Sequence, residues 1–205
     1  MKKLLYSLLS IPLIFGGFLG FNYYSGNVHV VAPGKIIRTG QLDEKQLSRY
    51  TQQYHIKTLI NLRGAWPGNG WYQVESQFVA TQRIHYRTFR FSSYDLPTKS
   101  QLRALVNALL ASPKPLMFHC EGGADRTGMA SAISLILFNP TATEAQIRKQ
   151  ASWRYNAISN RSVGYQVMRN YFAWLKAHHL SSSRDNFLIW LNSPEPMKPY
   201  RGWFL

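Results

Sequence analysis

The residues best suited to chemistry lie in one stretch, His119-Cys120-Glu121-Gly122-Gly123-Ala124-Asp125-Arg126-Thr127-Gly128. It holds the single cysteine of the chain, with an arginine six positions later and two glycines between them. Apolar runs precede and follow it, so it reads as a strand, a loop and the start of a helix. A loop of this length can wrap a tetrahedral anion with its backbone N–H groups. The helix behind it adds its own N-terminal donors and the positive end of its dipole. Glycines let the backbone approach closely and take φ > 0. Arg126 offers a planar fork that grips two phosphate oxygens, which a lysine cannot do. The same positive field favours the thiolate of Cys120, the nucleophilic form. Thr127 can donate a hydrogen bond to that thiolate. His119 is expected to order the loop through hydrogen bonds rather than to act as a base.

These residues suit a two-step displacement at phosphorus. Cys120 attacks and forms a phosphocysteine, which water then hydrolyses. The loop amides of Glu121, Gly122, Gly123, Ala124, Asp125 and Arg126, with the Arg126 side chain, face the charge spread over the transferring group. The step needs a general acid for the leaving oxygen. Carboxylates are scarce, with nine in the chain against 24 Lys and Arg, so the candidates are few. Between Glu75 and Glu121 the only one is Asp95, in Phe91-Ser92-Ser93-Tyr94-Asp95-Leu96-Pro97. It can serve as the acid, or it can cap the helix that starts near Thr98. Asp125 is the reserve acid, though its place in the loop suits a structural role. No metal or cofactor is expected.

The string from His119 to Thr127 resembles the H-C-x5-R-[S/T] signature of the cysteine-dependent phosphatases, the tyrosine and dual-specificity superfamily. Lys35-Ile36-Ile37-Arg38-Thr39-Gly40-Gln41 resembles the YRSGQP strand of bacterial dual-specificity-like members, with Thr for Ser and Leu42 for Pro. Ile56-Lys57-Thr58-Leu59-Ile60-Asn61-Leu62-Arg63 resembles their IKTVINLR strand. The likeness spans roughly residues 35–155. It implies a central four- to five-stranded, mostly parallel sheet flanked by helices, and an acid on a loop where Asp95 lies. Together with the N-terminus described below, it is similar to the periplasmic tyrosine phosphatases of Gram-negative bacteria. The implied substrates are phosphotyrosine or mixed phosphoproteins, with a membrane phospholipid as the alternative. Lipid-directed relatives often carry Lys inside the loop, whereas this loop carries Glu121 and Asp125.

The elements that must position these groups follow from the pattern. Strands are expected at 35–38, 58–62, 84–91 and 115–119, the last as the central strand. Helices are expected at 43–54, 72–81, 98–111, 128–138, 143–155, 162–177 and 184–191. Thr98 is a plausible N-cap. Residues 22–34 read as a linker, 64–70 as a Gly- and Pro-rich loop, and 193–205 as an extended tail. The alternation of strand and helix predicts an α/β layered domain over 28–192. Arg38 and Arg63 either extend the anionic site or lie at solvated strand ends. Trp66 and Trp71 border the cleft or pack at the core edge, and Tyr94 is a candidate for the pocket wall. Asn156 and Asn160 are candidates to position water. His178 and His179 read as a helix C-terminal pair.

Composition narrows the class. The formal net charge is +15, and apolar residues make up 45% of the chain, too many for a disordered one. One cysteine excludes an internal disulfide framework and a cysteine-rich zinc site. Met1-Lys2-Lys3 precedes an apolar run from Leu4 to Phe21, of about 18 residues, near the lower limit for spanning a bilayer. This is the pattern of a secretory signal, so residues 1–27 are expected to be a signal-anchor or signal peptide with its linker. An uncleaved anchor is favoured because no small-x-small cleavage site is evident. The body is then placed on the periplasmic side of the inner membrane. The surplus of bases suits an anionic partner: a phosphorylated protein, a phospholipid or an anionic membrane surface. Charge alone would also suit nucleic acid, but export and the loop signature argue against it.

Overall fold

The computed structural model describes residues 2–204, with side chains from residue 12 onward. In chain order the elements are α1 (Lys2–Tyr24), β1 (His29–Ala32), β2 (Ile36–Thr39), α2 (Glu44–Gln53), β3 (Thr58–Asn61), α3 (Gly70–Thr81) and β4 (His85–Thr88). They continue with α4 (Lys99–Ala111), β5 (Leu116–His119), α5 (Asp125–Phe138), α6 (Glu144–Lys149), α7 (Val163–Ala177) and α8 (Arg184–Asn192). The five strands form one sheet in the order β1-β2-β5-β3-β4. Strands β2, β5, β3 and β4 run parallel, and only β1 is antiparallel. The expected α/β fold with a mostly parallel sheet is therefore present, with β5 at its centre.

Alternate residues of the central strands feed two cores. Ile36, Ile60, Leu116 and Phe118 face the larger one, with Leu102, Leu105 and Leu109 of α4, Ile133 of α5 and Tyr171 of α7. Ile37, Leu59 and Met117 face the other, with Leu47 of α2 and Val79 of α3. Strands covered on both sides carry near-continuous apolar runs, here Leu59-Ile60 and Leu116-Met117-Phe118, which is why 58–62 and 115–119 read so clearly. Helix α5 is buried continuously from Thr127 to Leu137, since it lies between the sheet and α7. A helix enclosed on all sides has no polar face.

Three expectations are corrected. The segment 22–34 is not a linker only, because it contains β1, which pairs with β2 from His29 to Ala32. A short, half-exposed edge strand leaves little apolar pattern to read. The expected helix at 143–155 breaks after Lys149, and a single 3-10 turn follows at Trp153–Tyr155. Asn156 then takes φ 66°, a left-handed conformation that Asn tolerates and that ends the turn. Strand β4 stops at Thr88 rather than at 91 and is largely exposed, as an edge strand can be.

The backbone of the segment Leu4–Phe21, on which the anchor expectation rests, is part of α1, and the side chains of residues 4–11 lie outside the described residues. Among the described residues, no helix is long and apolar enough to cross a membrane. The end of α1 is tied to the domain: Asn22 Nδ2 donates to the Arg154 carbonyl at 3.2 Å, and Asn156 Nδ2 donates to the Leu19 carbonyl at 2.9 Å. The tail after α8 is irregular, as expected, and lies along α7. Asn170 and Lys198 exchange two hydrogen bonds, and Trp174 Nε1 donates to Glu195 at 2.9 Å.

Thr98 caps α4 through a complete capping box with Gln101. Thr98→Ala should therefore cost about 1 kcal/mol of stability, read as a lower midpoint in urea at unchanged slope.

Candidate active site

Strand β5 delivers Cys120 to the foot of α5, where the thiol is 2% exposed. The loop between them is shaped from behind. The Glu121 carbonyl accepts the Gln41 amide at 2.8 Å. The Gly122 carbonyl accepts Asn27 Nδ2 at 2.9 Å, and the Gly123 carbonyl accepts an Arg38 Nη at 2.8 Å. Three successive carbonyls are thus turned away from the loop's inner face. None of the amides of residues 121–124 donates to a backbone carbonyl among the described residues. The loop is a cradle of free N–H groups, the form that binds an oxyanion. Gly123 sits at φ 68°, and a Cβ there would lie 2.7 Å from the Gly40 nitrogen, so only glycine fits.

Arg126 follows in the first turn of α5. Its Nε is buried and has no hydrogen-bond partner among the described residues. Its Nη2 lies 3.9 Å from Glu121 Oε2, too far for a hydrogen bond. Arg126 borders an open cleft of about 590 Å³, which is also lined by Arg63, Trp66, Trp71, Phe91 and Ser92. One loop thus carries a buried thiol, a run of free amides and, in the helix turn that follows, a guanidinium held by no hydrogen bond. Among the described residues no cluster of His, Cys, Asp and Glu could hold a metal ion.

Residues 16–146 match the family described as the tyrosine phosphatase family. The chain belongs to that family. It is a cysteine-dependent phosphatase of the tyrosine and dual-specificity superfamily. The solved structures agree in fold. The core catalytic domain of the PP-IP phosphatase Siw14 from S. cerevisiae, in complex with citrate, is 18% identical with a TM-score of 0.57, over 75% of this chain and 93% of that one. TpbA of P. aeruginosa is 15% identical with a TM-score of 0.52, over 82% of this chain and 92% of that one. PTPMT1 in complex with PI(5)P is 15% identical with a TM-score of 0.52, over 74% of this chain and 98% of that one. No curated protein sequence matches the chain.

The other residues singled out in the sequence divide between the cleft and the rest of the domain. Asp95 is exposed, on the loop between β4 and α4. Its Oδ2 accepts the Ser92 hydroxyl at 2.9 Å, and Ser92 lines the cleft beside Arg126. Asp95 does not cap α4, since Thr98 does. Thr127 is fully buried, and its hydroxyl donates to the Thr39 carbonyl at 3.3 Å. Burial pushes the Asp125 carboxyl up, opposed by Ser162 and by Arg126, which fits a structural residue at the helix start. Trp66 and Trp71 do border the cleft. Tyr94 instead faces the tail, its ring 6.4 Å from that of Phe204. Asn156 and Asn160 bond to α1 and to the tail and line no part of the cleft. His178 Nδ1 meets the Trp174 carbonyl at 2.9 Å, as a helix C-terminal histidine should.

Two supports were missed in the sequence. Arg38 is fully buried, bonds to the Gln150 carbonyl at 2.7 Å, and lies 3.8 Å over the Tyr155 ring. It is a brace behind the loop, neither a solvated strand end nor part of the cleft. Glu75 of α3, 2% exposed, is the second. It lies 2.9 Å from His119 Nε2 and accepts hydrogen bonds from Gln41, Asn61 and Tyr86. His119 Nδ1 is 3.1 Å from the Cys120 carbonyl, so the histidine does link the loop to the interior. No local pattern marks either residue. A charged side chain in an otherwise apolar stretch, as in Ile36-Ile37-Arg38, is the one available hint.

Burial pushes the Glu75 carboxyl up, but the charge His119 can carry and the hydrogen bonds of His119, Tyr86 and Gln41 outweigh it and bring it down to about 2, from an ordinary 4.5. A lowered carboxyl stabilises the fold above the unfolded value, and that contribution is lost as pH falls through the folded one. Stability should therefore drop between about pH 4.5 and 2, by roughly 3 kcal/mol from this group. Glu75→Gln should be less stable at pH 7 and lose less over that window, as read by urea unfolding at each pH.

Proposed function

We propose that the chain hydrolyses phosphomonoesters through a phosphocysteine on Cys120, without a metal, at the periplasmic face of a bacterial inner membrane. The observation that carries the chemistry is the cradle itself: free amides from 121 to 124 around a buried thiol, with the unpartnered Arg126 at its edge. The phosphoryl oxygens sit against the amides and the Arg126 fork, which hold the equatorial charge as it spreads. The Cys120 sulfur bonds to phosphorus as the ester P–O bond breaks. Asp95 hands its proton to the departing oxygen. Water then attacks phosphorus, the S–P bond breaks, and Asp95 takes up the proton from that water.

Two substrate classes fit this chemistry. Phosphotyrosine or mixed phosphoproteins are supported by the description of the family. A membrane phospholipid is supported by the surface that α1 forms with the domain. Leu13, Ile14 and Phe21 of α1 are 78%, 70% and 71% exposed, an apolar end that favours a lipid surrounding. Phe15 and Trp153 meet with ring centroids 5.9 Å apart. Both residues line a groove of about 680 Å³ with Arg148 and Lys149, a mixture of aromatic and basic groups suited to anionic headgroups. The fold relative PTPMT1 is seen in complex with PI(5)P.

Cys120→Ser should abolish release of phosphate from an aryl phosphate assayed in the presence of a chelator. Activity equal to that of the unaltered chain would remove Cys120 as nucleophile. Asp95→Asn should slow turnover about 10²- to 10⁴-fold for alkyl phosphates, and much less for nitrophenyl phosphate, whose leaving group needs no proton.

A further inference from the structure

The cleft holds more positive charge than one phosphoryl group requires. Arg63 follows β3 and Arg90 follows β4, and both line the cleft with Arg126. Each guanidinium is laid on an indole: Arg63 is 3.7 Å over Trp71, and Arg90 is 3.9 Å over Trp66. Stacking of this kind holds the planar fork in place, so little freedom is lost when its N–H groups meet an anion. The stem of Arg90 is seated as well. Gly64 has φ 97°, and a Cβ there would lie 3.0 Å from both Cβ and Cγ of Arg90. The backbone under Arg90 is thus open only because residue 64 is glycine.

Glu121 marks where a second anion is favoured. Its Oε2 lies 3.7 Å from Arg63 Nη2 and 3.9 Å from Arg126 Nη2, and its side chain is 60% exposed. A carboxylate so exposed can swing out and leave its place to a substrate anion. Arg90 has no carboxylate within 4.0 Å among the described residues. The electrostatic balance of the cleft is three arginines against one exposed glutamate.

We propose that Arg63 and Arg90 form a second anion subsite beside the catalytic loop. The preferred substrate is then a phosphomonoester on a small polyol that bears a second phosphate, whether free or as a lipid headgroup. This rests on the phosphatase reading of the loop. A lone phosphotyrosine side chain has no second charge for these forks, and its ring would compete with them for the indole faces.

The test compares kcat/KM of the full chain on three substrates: nitrophenyl phosphate, a soluble inositol bisphosphate, and phosphatidylinositol monophosphate in phosphatidylcholine vesicles. The unaltered protein should prefer both two-phosphate substrates. Arg90→Gln should lower that preference, taken as a ratio to nitrophenyl phosphate, roughly tenfold for each, mainly through KM. Arg90→Lys, which keeps the charge but loses the stacked fork, should recover part of it. An unchanged ratio in Arg90→Gln overturns the subsite. So does a fall confined to vesicles, which would mean that Arg90 touches the bilayer. So does an unaltered chain that hydrolyses nitrophenyl phosphate but neither two-phosphate substrate. Loss of the phosphatase reading looks different: nitrophenyl phosphate would then be cleaved equally by the Cys120→Ser protein.

Discussion

A loop can face an anion with its amides only if its carbonyls point elsewhere, and buried carbonyls need donors. That constraint organises this protein. The donors are the Gln41 amide, the Asn27 side chain and the Arg38 guanidinium, one for each carbonyl from Glu121 to Gly123. None belongs to the loop. All lie in the segment that runs from the end of α1 to just past β2. Asn27 itself sits at φ 49°, a left-handed turn that brings its side chain to the loop, and His29 Nε2 lies 3.0 Å from its Oδ1. The part of the chain that looks least like an enzyme therefore sets the shape of the catalytic cradle.

Two buried charges brace the strand end from opposite sides. Burial lowers Arg38 to about 10, partly offset by Tyr155 and Cys120, so it stays cationic at neutral pH. Among the described residues it has no carboxylate partner, and it is held by the Gly123 and Gln150 carbonyls and the Tyr155 ring. A guanidinium buried this way costs desolvation, and hydrogen bonds to several carbonyls are what offset it. On the other side Glu75 gathers Gln41, Asn61, Tyr86 and His119. Gln41 joins the two systems, since its amide holds the Glu121 carbonyl and its side chain bonds to both Glu75 and Arg63. A shift of α3 is thus felt at the loop and at the cleft wall together.

This division explains what could be read from the sequence. The loop was legible because its chemistry is local: nucleophile, glycines and clamp are consecutive, and apolar runs flank them. The parallel core was legible because strands buried on both faces carry consecutive apolar residues, as in Leu59-Ile60 and Leu116-Met117-Phe118. Asp95 stood out as the proposed acid through the scarcity of carboxylates. The braces were not, since Arg38 meets its partners 85 and 112 residues away, and Asn27 meets Gly122 at a separation of 95. Strand β1 and the break after α6 were missed for a related reason. Each is fixed by a distant neighbour, β1 by pairing with β2 and the turn at Trp153–Tyr155 by its contacts with α1, Arg38 and Asn27.

The same long-range logic shapes the loop before Asp95, the residue proposed as the acid. Two carbonyls on the loop before Asp95 are fixed by the start of α7: the Val163 amide donates to Ser93, and Gln166 Nε2 donates to Tyr94. Gln166 Oε1 in turn accepts the Tyr200 amide, so the tail locks the side chain that locks the loop. The first turn of α7 also presses on the start of α5, where a Cβ at residue 164 would lie 2.9 Å from the Asp125 carbonyl. One helix end therefore holds both the shoulder of the acid loop and the helix that carries Arg126. Among the described residues the Asp95 carboxyl accepts a side-chain hydrogen bond from Ser92 alone. A proton donor must meet a leaving group whose position varies from substrate to substrate. A fixed shoulder with a free carboxyl meets that need, and a carboxyl clamped by an arginine would not.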